Sequence, residues 1–239
     1  MTTTDVTASP ILALDLGKYK RVACLYNRAT AQTTCDTITT SKAELLRLIE
    51  RHRPALVVLE ACALAGWVHD LCAQHGLACQ VANTASEAWK FKHTTRTTDK
   101  DDALRLAQRA ALGHLPTVVI SPQQTRQGRA LIAYRQMLVG RRCAGQNRSR
   151  ALLVGQGLPA PPGHRAWTEV GLQGIGQHAK PLAEGADDEL WRGLLELALT
   201  EYRQVRELIE QTEARLDALA RQDEGVQILE TIRGKCTCG

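Results

Sequence analysis

The chain has 239 residues, 44% of them hydrophobic and 23% charged. That balance suits one globular core with an extension. It contains no apolar run of the roughly 18 residues needed to span a membrane. The opening MTTTDVTASP has neither the basic start nor the apolar stretch of a secretion signal. Aromatic residues make up only 4%, too few for an RNA binder built on stacking platforms.

Lys plus Arg number 30 against 25 Asp plus Glu, a formal charge of +5. The distribution says more than the total. No acid occurs between Asp102 and Glu169, while ten arginines and no lysine do. Such a block repels itself unless something anionic lies across it. Nucleic acid is the expected partner, because the planar guanidinium fork donates two hydrogen bonds to a phosphate. Within the block, Arg126, Arg129, Arg135, Arg141, Arg142, Arg148 and Arg150 are the candidate nucleic-acid contacts.

Residues 1–10 form a polar tail, expected to be disordered. Ile11–Leu16 (ILALDL) is nearly all apolar, as in a central strand buried on both faces. Gly17 breaks it, and Arg21–Asn27 follows as in a hairpin. Gln32–Thr40, rich in Thr, predicts a third and more exposed strand. Ser41 with Glu44 three residues on reads as a capping box for a helix over Lys42–His52, with Leu45, Leu48 and Ile49 on one face. Ala55–Glu60 predicts a fourth strand, Gly66–His75 a helix, and Cys79–Ala82 a fifth strand, with helical patterning from about Glu87. A meander followed by alternation implies an α/β layer around a mixed sheet.

Gln123–Leu153 reads as a long basic helix, and the Pro/Gly-rich Gly155–Gly163 as a turn or hinge. From Asp187 a second long helix is expected. Trp191, Leu195, Ala198, Tyr202, Val205, Ile209, Thr212, Leu216 and Leu219 step by four and three, a coiled-coil seam. The period calls for a helical partner without saying whether it belongs to the same chain. Eight cysteines mostly sit in apolar runs and read as small buried hydrophobes in a reducing compartment. Cys236 and Cys238 form only a weak metal signal, and the seven histidines show no metal-like pair. Trp67, Trp89 and Trp191 read as packing anchors. Lys90, Lys92, His93 and Arg96 read equally as phosphate contacts or as a solvated loop.

Four carboxylates stand out. Asp15 lies inside an apolar strand, where an ionised group is costly unless paired or bound to a cation. Glu60 ends another such strand. Asp99 and Asp102 share a helix face at i, i+3, while Asp101 points elsewhere, toward solvent. Singly, each has an ordinary structural explanation. Brought together they would need a divalent cation, and hard oxygen ligands suit Mg2+ or Mn2+. Two such ions serve phosphodiester cleavage.

The segments ALDLGKYK, VVLEA, TTDKDDALRLA, RALIAYRQMLVGRRCAGQNRSRALL and GLPAPPG resemble the DEDD transposases of bacterial insertion sequences. The resemblance runs from about Ile11 to Ile232. It implies a ribonuclease H-like, RuvC-like catalytic domain over 11–118, a basic helix and hinge over 119–185, and a coiled coil over 186–224. It also implies Asp15, Glu60, Asp99 and Asp102 as catalytic metal ligands, Mg2+ or Mn2+ as cofactor, and DNA as partner. Some members are guided by a structured bridge RNA, and the family pairs its protomers through the coiled coil. A cytoplasmic, nucleoid-associated location in a bacterium follows.

Thr97 stands where the family usually has Lys. The end, LETIRGKCTCG, resembles a frameshift or truncation within 225–239, ahead of the domain that carries the family's nucleophilic serine. On that expectation strand exchange is incomplete. Two alternatives stay open: a RuvC-like nuclease of branched DNA, and a remnant that binds nucleic acid without chemistry. A sugar-kinase or actin-like ATPase is disfavoured, since no second phosphate loop is found.

Overall fold

The computed structural model describes residues 9–16, 20–83, 98–160, 162–223 and 225–227. It divides into two compact units, Met1–Gln123 and Gln124–Gly239. Gly17, Trp89, Lys90, Lys92, His93, Arg96, Thr97 and the segment 228–239 lie outside the described residues, so the expectations placed on them do not bear on the fold.

The first unit is built on a six-stranded sheet in the order β3-β2-β1-β4-β5-β6. Strands β1 (Ile11–Leu16), β2 (Lys20–Tyr26) and β3 (Thr33–Thr39) form the expected antiparallel meander. Strand β4 (Leu56–Glu60) lies parallel to β1, and β5 (Ala78–Ala82) parallel to β4. The two-residue β6 (Thr117–Val118) closes the edge antiparallel to β5. Helices α1 (Lys42–His52), α2 (Ala65–Gln74) and α3 (Asp99–Ala111) flank the sheet. This is the mixed sheet with flanking helices expected of a ribonuclease H-like domain.

Side-chain alternation sorts the core into two layers. On one face Leu12, Leu14, Val57, Leu59 and Val81 pack with Leu45 and Leu48 of α1 and Val68, Leu71 and Cys72 of α2. On the other, Ile11, Ala13, Leu56, Val58 and Ala82 pack with Ala103, Leu106, Ala107 and Ala110 of α3. Residues Ile11 to Leu14 are therefore buried on both sides, as their unbroken apolar run requires. Ser41 caps α1 by accepting from the backbone N–H of Glu44 at 3.2 Å. The Glu44 carboxylate does not complete the box. The Ser41 backbone N–H donates to Thr39 O at 3.0 Å, and the Glu44 carboxylate takes a hydrogen bond from Arg47 at 2.8 Å instead.

The second unit is a helical hairpin with small elements at its closed end. Helix α4 (Gln123–Val154) and helix α6 (Leu190–Ala220) are 32 and 31 residues long. Arg135 of α4 meets Glu213 of α6, and Arg148 meets Glu201, so the two run antiparallel. Between α4 and α6 come a 3-10 turn (Gly163–Trp167), helix α5 (Glu169–Gly176) and a second short turn (Leu182–Glu184). Helix α5 is absent from the sequence expectation. Thr168 caps it by accepting from Gly171 N–H at 3.3 Å.

The expected seam is present, and α4 and the turn cover it within the same chain. Leu195, Leu199 and Tyr202 pack with Leu153, Ala166, Trp167, Leu172 and Ile175. Further along, Val205 and Ile209 pack with Leu138. Gly145 of α4 faces Tyr202 of α6: a Cβ there would stand 4.0 Å from the Cβ of Tyr202, an ordinary packing contact. One turn on, the buried Ser149 hydroxyl donates to Gly145 O at 3.0 Å, hiding its polarity against its own helix. Between Leu195 and Ile209 the seam is thus packed within the chain. Among the described residues no helix is long and apolar enough to cross a membrane.

Candidate functional site

Asp15 and Glu60 are positioned by the sheet. The parallel register of β1 and β4 reaches Leu14 opposite Leu59, and the two carboxylates follow as the next residues along each strand. They therefore sit at the carboxyl ends of adjacent parallel strands, where open α/β sheets place their sites. By alternation Asp15 shares a face with Ile11 and Ala13, and Glu60 with Leu56 and Val58. That is the face covered by α3. Both residues are half-buried.

Helix α3 brings the aspartates. Asp102 belongs to its buried face, with 8% of its surface exposed, while Asp99 at the first position is exposed. Asp101, expected to be merely solvated, has a structural task. Thr98 Oγ1 accepts from Asp101 N–H at 3.3 Å, and the Asp101 carboxylate accepts from Thr98 N–H at 3.1 Å and from the Thr98 hydroxyl at 2.7 Å. These hydrogen bonds from Thr98, hydroxyl first, hold the Asp101 carboxyl below its ordinary pKa. Three acids in the first turn also suit the positive end of the helix dipole.

Asp15, Glu60 and Asp102 thus share one side of the sheet, with Asp99 out at the start of α3. They do not close into a cage: among the described residues no group of three or more Asp, Glu, His or Cys side chains stands ready to hold a metal ion. The donor set itself is all carboxylate oxygen, which fits magnesium or manganese better than softer metals.

The arginine block is organised by partners that come much later in the chain. Arg135 Nε donates to Glu213 at 2.8 Å. Arg141 and Arg148 both reach Glu201, each at 3.2 Å. Acids missing from the local sequence are therefore supplied by α6, an arrangement that only the hairpin reveals. Arg142 and Arg150 turn to another flank. With Gln146 they repeat every four residues along α4, and all three line a cleft of about 830 Å³ with His164, Trp167, Glu169, Arg206 and Glu210. Trp167 is 8% exposed and packs on Tyr202 with ring centroids 5.0 Å apart, a packing role rather than a stacking surface.

The cysteines fit their expected role in part. Cys24 and Cys72 are buried, Cys35 and Cys79 half-buried, and Cys62 and Cys143 exposed. Cys24 and Cys35 face each other across β2 and β3, with Sγ atoms 3.0 Å apart. Burial, and then the hydrogen bond with Cys35, push the Cys24 thiol well above its ordinary pKa.

Comparison with known proteins decides the family. A family model described as a transposase, that of the DEDD transposases of the IS110 group, matches residues 12–156. The chain belongs to this family. The matched span is well over half of the IS110-type chain and contains all four carboxylates and the arginine helix through Arg150. No curated protein matches it. Among solved structures it is similar to T. thermophilus RuvC in complex with a Holliday junction substrate, at 16% identity and a TM-score of 0.33. That alignment covers 46% of this chain and 99% of RuvC. A likeness at that level carries nothing about reaction or ligand.

Proposed function

We propose that this IS110-type chain is a recombinase of an insertion sequence that acts on DNA phosphodiesters through Asp15, Glu60, Asp102 and Asp99. The observation that carries this reading is the family match, whose span holds all four residues. Asp15 and Glu60, on strands fixed by neighbours on both sides, would provide the rigid half of a site for Mg2+ or Mn2+. Asp102 and Asp99 would provide the half carried by α3. The divalent ion, when bound, supplies positive charge to the scissile phosphate and to the oxygens that attack and leave.

The resemblance supports a structured guide RNA as a second nucleic-acid partner, and a nucleoid-associated location follows from the substrate. Those arginines of α4 that are not paired with acids of α6, Arg142 and Arg150 among them, would hold the backbone of either strand. Asp15→Asn in the full chain should remove most magnesium uptake by titration calorimetry and abolish strand cleavage. Equal uptake with unchanged products would overturn the assignment.

The arginine-rich α4, which needs no metal to meet phosphate, favours one second reading, a chain that binds nucleic acid without chemistry. It expects magnesium-independent binding, equal in wild type and Asp15→Asn, with no cleaved strand. Nicked junctions without joined strands would instead indicate a branched-DNA nuclease.

A further inference from the structure

We propose that the cleft between α4, the Gly163–Trp167 turn and α6 is a phosphodiester-binding site, in which Arg142 and Arg150 take the phosphate with His164 beside them. This deepens the nucleic-acid reading above and rests on it for the class of ligand, but not on the metal site.

Three carboxylates line the cleft, and each is already engaged. Arg206 reaches Glu169 at 3.2 Å and Glu210 at 3.7 Å, while Arg135 holds Glu213. Arg142 and Arg150 have no acidic partner among the described residues. Arg150 is fixed by neutral groups: it donates to Gly163 O at 3.0 Å and lies over the Trp167 ring at 5.1 Å. Both contacts orient the guanidinium without forming an ion pair.

Arg142 is half-buried, and its Nε is buried without a hydrogen-bond partner, as is Nε1 of Trp167. A partly desolvated cation with an unused donor is costly unless an anion arrives. Gly163, with φ of +60°, gives the chain the turn that points its carbonyl at Arg150.

The shape of the cleft restricts the ligand. Its volume, about 830 Å³, suits a phosphate with its flanking sugars. Trp167 and Tyr202 are 8% and 3% exposed, so neither offers a face for a base to stack on. Recognition is therefore of backbone, which positions a strand without reading its sequence.

The test compares two double variants of the full chain that remove equal charge. A labelled single strand of DNA, its duplex and the matching RNA strand are titrated by anisotropy across salt concentrations. Arg142→Gln with Arg150→Gln should weaken binding roughly tenfold and flatten the salt slope by roughly 1–2, whatever the base sequence. Arg141→Gln with Arg148→Gln, already paired to Glu201, should change affinity less than about threefold, as expected for arginines holding no phosphate. The three probes show which strand the cleft prefers.

In the wild type, the indole N–H resonance of Trp167, assigned through Trp167→Phe, should move on saturation with the preferred strand. Equal losses in both double variants, or saturated binding with an unmoved Trp167 signal, overturn the cleft alone. A wild type that binds no strand overturns the nucleic-acid reading with it, and the magnesium titration remains a separate measure of the carboxylates.

Discussion

Glu201 holds two arginines that would otherwise be free to meet phosphate, so Glu201→Gln should strengthen nucleic-acid binding. Its side chain is 37% exposed, and those of Arg141 and Arg148 are 52% and 60% exposed. Exposed ion pairs are worth about 0.2–1 kcal/mol each, so losing both costs on the order of 1 kcal/mol after solvent screening. For a unit of this size that lowers the melting temperature by about 4 °C. Against this small loss stand two released guanidiniums. If each meets a phosphate on duplex DNA, the slope of log K against log salt steepens by up to ~1.8.

The assay is anisotropy over a salt series, with Glu207→Gln as control. Glu207 lies on the same helix, is exposed and pairs with neither arginine, so its removal makes the same change in net charge. The reasoning is refuted if Glu201→Gln leaves the slope unchanged, or if Glu207→Gln steepens it equally.

Three further outcomes are expected. Thr98→Ala should cost about 1 kcal/mol by removing the cap of α3. Because the Thr98 donors depress the Asp101 pKa, their stabilisation is present above the unfolded carboxylate pKa and lost as pH falls through the folded value. The gap in melting temperature between wild type and Thr98→Ala should therefore narrow on acidification below about pH 4; a gap constant down to pH 2 would deny the linkage. Gly171→Ala should destabilise the second unit by about 1–3 kcal/mol in urea unfolding, since a Cβ there would stand 2.6 Å from Ala166 O; an unshifted midpoint would contradict that contact. Cys24, buried and with its thiol pKa raised, should alkylate far more slowly at pH 8 than the exposed Cys62 and Cys143, as read by mass spectrometry.

Long patterned segments were legible in the sequence, and contacts between distant segments were not. The apolar run of β1 and the Leu45–Leu48–Ile49 face of α1 announced themselves because period and burial coincide there. Strand β6 is two residues long and offers no alternation to read. Helix α5 carries Gly171, Gly174 and Gly176, poor helix formers whose cost is offset by the Thr168 cap and the burial of Leu172 and Ile175. The four-three spacing of α6 specified a helical partner but not its identity, which proved to be α4. The same limit hid the counter-charges of the arginine block, since Arg141 and Glu201 are 60 residues apart in sequence. For the carboxylates, position on strand ends and on the α3 face could be read from pattern. Their mutual spacing depends on packing that the pattern does not encode.

The ion pairs of the hairpin also act as a ruler. Glu201 and Glu213 lie twelve residues apart on α6, about 18 Å of helix rise, and each clasps α4 at its own station. Sliding one rod along the other by a single turn would unfasten both stations at once and carry Tyr202 away from Gly145. The hairpin thus has one preferred alignment, and the row formed by Arg142, Gln146 and Arg150 is held at a fixed height against the opposing wall.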